Sequence, residues 1–85
     1  MNADEYIKRV SEMENIAMSF SGVSRAFALS AGREVRVFVD ATSISDLEAQ
    51  KLAREIAVSI EENLTYPGEI KVNLIRETRV IEYAR

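Results

Sequence analysis

The sequence predicts a small two-layer α+β domain in which a three-stranded sheet carries two helices on one face. Three observations lead there. Two stretches repeat apolar residues at intervals of three and four, as amphipathic helices do. Three shorter stretches are apolar or alternating, and glycine-bearing turns separate them from their neighbours. Both kinds fit within one domain of 85 residues, whose 47% hydrophobic and 29% charged content suits a packed fold rather than a disordered tail.

The first helix is expected over residues 4–20, with Tyr6, Val10, Met13, Ala17 and Phe20 along one stripe. Asn2 followed by Glu5 has the spacing of a capping box, and Gly22 is placed to end the helix in the left-handed region. Two strands follow at 23–30 and 33–39, around Ser30, Ala31 and Gly32. A three-residue loop with Gly32 left-handed sets Phe27 opposite Val35 and gathers Val23, Phe27, Leu29, Val35, Val37 and Val39 on one face. A two-residue Ala31-Gly32 turn instead sets Phe27 beside Arg36 and splits the apolar set, so the three-residue loop is expected.

Residues 40–43 form a polar connector. Ser45 and Glu48 then make an S-x-x-E capping box before a second helix at 46–64. Leu52, Ile56, Ile60 and Leu64 recur every fourth residue beside Ala49, Ala53 and Ala57, small residues that let the helix lie close to a sheet; Lys51 and Glu55 pair on its outer face. Tyr66-Pro67-Gly68 is a turn. The last strand starts at Ile70 and is expected to run on as far as Tyr83. The resulting order is α-β-β-α-β, and whether the last strand pairs with the first or the second is open.

Composition excludes whole classes of activity. With no cysteine there is no disulfide or thiolate centre, and with no histidine the commonest general base and zinc ligand are missing. The adjacent acids Asp4-Glu5 and Glu61-Glu62 diverge by about 100° on a helix, so neither pair converges on one substrate atom. The glycines stand singly in separate turns, so no phosphate-cradling loop exists. No apolar run approaches a membrane span and no signal segment opens the chain, so a cytoplasmic location is expected.

The net charge of −3 argues against a simple basic nucleic-acid binder. The charge is nevertheless partitioned. Residues 1–22 and 40–66 hold ten acids and four bases, whereas 23–39 and 67–85 hold seven bases and four acids. The basic excess, Arg25, Arg33, Arg36, Lys71, Arg76, Arg79 and Arg85, belongs to the sheet layer. Such a layer can bind RNA phosphates or an acidic partner, or its cations can simply pair with Glu34, Glu69, Glu77 and Glu82. Phe38, Ile75, Ala26 and Ala28 are expected on the same open face, which then reads as a protein-docking or self-association surface. Tyr6, Phe20, Phe27, Met13 and Met18 are expected in the core.

The segments AGREVRV (31–37), KLAREIA (51–57) and YPGEIKV (66–72), followed by IRETR (75–79) and EYA (82–84), resemble in order and spacing the C-terminal domain of ribonuclease Y. MENIA (13–17) and SFSGV (19–23) match as well, so the resemblance extends from about Ser11 to Arg85. It implies a bacterial endoribonuclease that initiates mRNA decay, built from a membrane anchor, a coiled coil, a KH domain and an HD domain whose divalent-metal centre uses histidines and aspartates. None of those motifs occurs in this chain, so the resemblance implies no catalytic residue and no cofactor here. It implies an accessory module of a membrane-anchored, cytoplasm-facing parent, without membrane contact of its own. Such a module docks on the HD domain, on other proteins or on itself, or else supplies an auxiliary RNA surface. Arg33, Arg36, Phe38, Lys71, Ile75 and Arg76 are the candidate contacts.

Overall fold

The computed structural model describes residues 3–85, so Asn2 of the expected first capping box lies outside the described residues. The elements follow the expected order: α1 (Ala3–Met18), β1 (Val23–Leu29), β2 (Glu34–Asp40), α2 (Asp46–Asn63) and β3 (Lys71–Glu77). The sheet order is β1-β2-β3, with β1 antiparallel and β3 parallel to β2. That settles the open question of pairing: the crossover through α2 returns the chain parallel to β2, as a helix-length connection allows.

The core lies between the helices and the inner face of the sheet. Met13 and Ala17 of α1 and Leu52, Ile56 and Ile60 of α2 cover Val35, Val37 and Val39 of the central strand. The stripe of α1 is narrower than its periodicity suggests. Tyr6 and Met18 are exposed, and the helix ends at Met18, where the Ser19 and Phe20 amides bond back to Ile16 and Ala17. Gly22, at φ +93°, then swings the chain into β1; a Cβ there would meet Ile44 at 2.9 Å.

The hairpin register differs from the expected one. Leu29 pairs with Glu34, Ala28 with Val35 and Phe27 with Arg36. This is the register of the rejected two-residue turn, and its cause is backbone geometry. Ser30, Ala31 and Gly32 all have positive φ (53°, 56° and 79°), and the Arg33 amide closes the turn on the Ser30 carbonyl at 3.1 Å. Positive φ at successive central residues matches the twist of the flanking strands, and the expected loop had granted it to glycine alone. Ala26 and Ala28 therefore face the helices, while Phe27 points outward and is 46% exposed. A bulge between Val23 and Arg25 restores Val23 to the inner face opposite Val39.

Both sheet edges end differently. On β1, the Ala28 amide donates to Glu14 Oε2 of α1 at 2.8 Å, so the helix takes up one outward amide of that edge. β3 stops at Glu77, short of the expected Tyr83, because its partner ends there. The Glu77 carbonyl accepts the Ala41 amide at 2.9 Å, after which the chain beyond β2 turns away. Asp40 makes that turn by accepting both the Thr42 amide and hydroxyl at 2.8 Å, and the amide bond in particular holds its carboxyl below the ordinary range. Residues 78–85 are left without a strand beside them.

α2 begins with the expected capping box. Ser45 Oγ accepts the Glu48 amide at 3.1 Å and the Glu48 carboxylate accepts the Ser45 amide at 3.0 Å. Ser45→Ala is expected to cost about 1 kcal/mol, read by urea unfolding at neutral pH. The Ser45 amide bond lowers the Glu48 pKa. This contribution is complete above the unfolded carboxyl value and fades as pH falls through the lowered folded one. Among the described residues, no helix is long and apolar enough to cross a membrane.

Candidate functional site

The face of the sheet turned away from the helices is built from alternate residues of all three strands: Arg25 and Phe27 of β1, Glu34, Arg36 and Phe38 of β2, and Lys71, Asn73, Ile75 and Glu77 of β3. The parallel register sets Phe38 beside Ile75, and the antiparallel register sets it beside Arg25. Phe38 is thus the hub. The Arg25 guanidinium lies 4.2 Å from its ring centroid, and Phe27 meets it edge-on, with centroids 6.2 Å apart at 73°. Both are favourable aromatic geometries.

Acids thread between the cations. Glu77 accepts two bonds from Arg25 Nη2, at 3.0 and 2.9 Å, and one from Arg79 at 3.2 Å. Glu34 Oε2 accepts from Arg36 and from Asn73, both at 3.4 Å. The surface is therefore an aromatic–aliphatic centre among paired charges. Pairs this exposed contribute little stability and mainly order the side chains.

The structure brings together only part of the expected contact set. Phe38, Ile75 and Arg36 share the open face, and Lys71 stands exposed at the start of β3. Arg33 lies in the exposed hairpin turn rather than on the sheet. Arg76 is on the opposite face. Its Nε donates to the Ile44 carbonyl at 2.7 Å, Nη2 to the Ala41 carbonyl at 2.9 Å and Nη1 to Asp46 at 2.6 Å, so it clamps the β2–α2 connection. The sheet alternation itself carried that signal, since Arg76 has the parity of Val72 and Leu74. Ala26 and Ala28 leave the open face with the register change, and Phe27 and Arg25 take their place. Phe27 was obscured because the hairpin register hinged on backbone torsions at Ser30 and Ala31.

Comparison with known proteins adds relatives. The chain is 58% identical over 82 residues to ribonuclease Y of Roseiflexus sp. (strain RS-1), covering 96% of this chain and 15% of that protein. It is 56% identical to ribonuclease Y of Syntrophomonas wolfei, covering 96% of this chain and 16% of the relative. It is 58% identical to that of Chloroflexus aurantiacus, with the same 96% and 16%. The chain thus spans about one-sixth of the length of these relatives. No family model and no solved structure matches it. The likeness read from residues 11–85 is borne out.

Proposed function

This chain is a homologue of ribonuclease Y along nearly its whole length, and from that premise we propose that it is a non-catalytic C-terminal interaction domain of such an endoribonuclease. Its open sheet face docks on the HD catalytic domain that the family likeness implies for the parent. The observation that carries this reading is the ordered cluster of Arg25, Phe27 and Phe38, held on the side of the sheet that no helix covers. Buried aromatics with an attendant arginine are the residues from which protein interfaces draw most of their energy.

The charge pattern favours protein over RNA. Arg25 and Arg36 are paired with acids and Arg76 is committed to two backbone carbonyls and Asp46, which leaves Arg33 and Lys71 at one end of the sheet. Phosphate binding draws on several unpaired cations in register.

The test is titration calorimetry of this chain against the catalytic region of a ribonuclease Y. Binding is expected, weakened at least tenfold by Phe38→Asp, with circular dichroism checking that the variant stays folded after losing its Arg25 and Phe27 contacts. No binding by the unaltered chain, or binding indifferent to Phe38→Asp, overturns the reading. So does a salt-sensitive RNA gel shift abolished by Arg36→Glu, which would place RNA on this face instead.

A further inference from the structure

The 78–85 segment stands out from the rest of the molecule. Val80, Ile81 and Tyr83 are 82%, 61% and 75% exposed. The radius of gyration is 14.3 Å, above the roughly 12 Å of a compact chain this long, and the longest dimension is 48 Å. Two contacts within it join residues two apart: Arg79 pairs with Glu77 at 3.2 Å, and Arg85 lies 5.8 Å from the Tyr83 ring. Contacts between residues i and i+2 belong to a strand, in which alternate side chains share a face. An extended chain from Glu77 onward would put Arg79, Ile81 and Tyr83 in line with the open-face row of β3.

No glycine, proline or asparagine occurs between Arg76 and Arg85, so nothing turns the segment back onto its own sheet. The outer edge of β3 meanwhile has no strand partner among the described residues. Beside it runs an open groove of about 700 Å³, floored by Val72 and Leu74 and walled by Ala49, Gln50 and Ala53 of α2. An unpaired, β-prone segment and an unpaired edge on one molecule are complementary only between molecules.

We propose that the occupant of this edge is a second copy of the same chain: two copies join β3 and the 78–85 segment antiparallel about Thr78. The register follows from the side chains. With Thr78 facing Thr78, Glu77 faces Arg79 of the second copy, Ile75 faces Ile81 and Asn73 faces Tyr83. Extended across β2, the rows read Asp40–Glu77–Arg79 and Phe38–Ile75–Ile81, since β2 already pairs Asp40 with Glu77 and Phe38 with Ile75. Two adjacent acids gain a cation, and the apolar row lengthens. Neighbouring registers lose this match. Centring on Glu77 sets two carboxylates face to face and Ile75 against Arg79, while centring on Arg76 or Arg79 opposes two guanidiniums. Like charges directly opposed destabilise a sheet, and unlike ones stabilise it. On the inner side Val80, Glu82 and Ala84 would face the groove that Gln50 lines.

A two-fold axis through Thr78 predicts a cross-link. Directly opposed residues of antiparallel strands have Cα atoms about 4.5–5.5 Å apart, within disulfide range. The chain has no cysteine to compete. The 85-residue chain is expected to sediment as a dimer. Under mild oxidation Thr78→Cys forms a covalent dimer and Val80→Cys, which faces Arg76, does not. Glu82→Pro, which removes the ladder amide facing Leu74 of the second copy on an exposed segment, yields a folded monomer. A monomeric unaltered chain, equal cross-linking from both cysteines, or a dimer that survives Glu82→Pro overturns the proposal. Each of these results leaves the open-face docking on the catalytic domain standing, so the two readings fail separately.

Discussion

Replacing Ile56 by alanine is expected to lower the unfolding free energy by about 3–4 kcal/mol. Ile56 is completely buried in the middle of α2, in the cluster that joins Met13 and Ala17 to Val35, Val37 and Val39. The elements on either side cannot follow a shortened side chain. β2 is hydrogen-bonded to both neighbours, and α2 is held at its start by the Ser45–Glu48 box. Most of the lost volume therefore remains as a cavity and adds to the lost transfer free energy. For a domain this size the whole stability is about 4–13 kcal/mol, so one substitution removes a large part of it. The melting temperature is expected to fall by about 15–25 °C. Urea unfolding checks the mechanism: the midpoint should drop with the slope unchanged. A loss below about 1 kcal/mol would mean that α2 settles onto the sheet and closes the gap.

Arg76→Met is expected to cost about 2–3 kcal/mol, a large effect for a residue whose type suggests a surface cation. Its guanidinium satisfies the Ile44 and Ala41 carbonyls at 2.7 and 2.9 Å, in the connector that leads from β2 into α2. Methionine keeps the aliphatic packing and removes the donors, leaving two part-buried acceptors unmatched. Lysine is expected to recover only a fraction, since a single ammonium cannot reach in three directions as the planar fork does. Asp46, the third partner, is largely exposed, so Asp46→Asn should change stability by a few tenths of a kcal/mol at most. Thermal unfolding of the three variants orders them; a near-neutral Arg76→Met would show that the connector holds without the clamp.

These two residues mark how far the fold could be read in advance. Ile56 is visible from the four-residue spacing of Leu52, Ile56 and Ile60, and α2 itself from its capping box; both are local signals that tertiary context reinforces. The three-stranded sheet and the placing of both helices on one side follow from element order, whereas its mixed character depends on β3 pairing with β2 rather than β1, which that order leaves open. What the chain conceals is what rests on single torsions. The positive φ of Ser30 and Ala31 shifts the hairpin by one residue, which moves Phe27 outward and Ala26 and Ala28 inward together. That shift also decided which side chains make up the candidate surface. Phe38, Ile75 and Arg36 were legible because β2 and β3 alternate cleanly. Arg76 had the inner-face parity from the start, but its charge drew it toward the solvent in a reading by residue type. The run to Tyr83 failed for a different reason. Residues 79–83 have the composition of a strand, and only the departure of β2 at Asp40 deprives them of a neighbour.

The carboxylate of Glu14 on the Ala28 amide has a consequence at the scale of assemblies. A sheet with two open borders can recruit copies without limit and grow into a fibre. Here Glu14 of α1 takes up one outward amide of the β1 border, which hinders growth on that side. An isologous contact at the other uses up that direction for both partners at once, and the symmetry closes. For the dimer proposed at the β3 edge, the Glu14 contact therefore favours an assembly of two copies over an open stack.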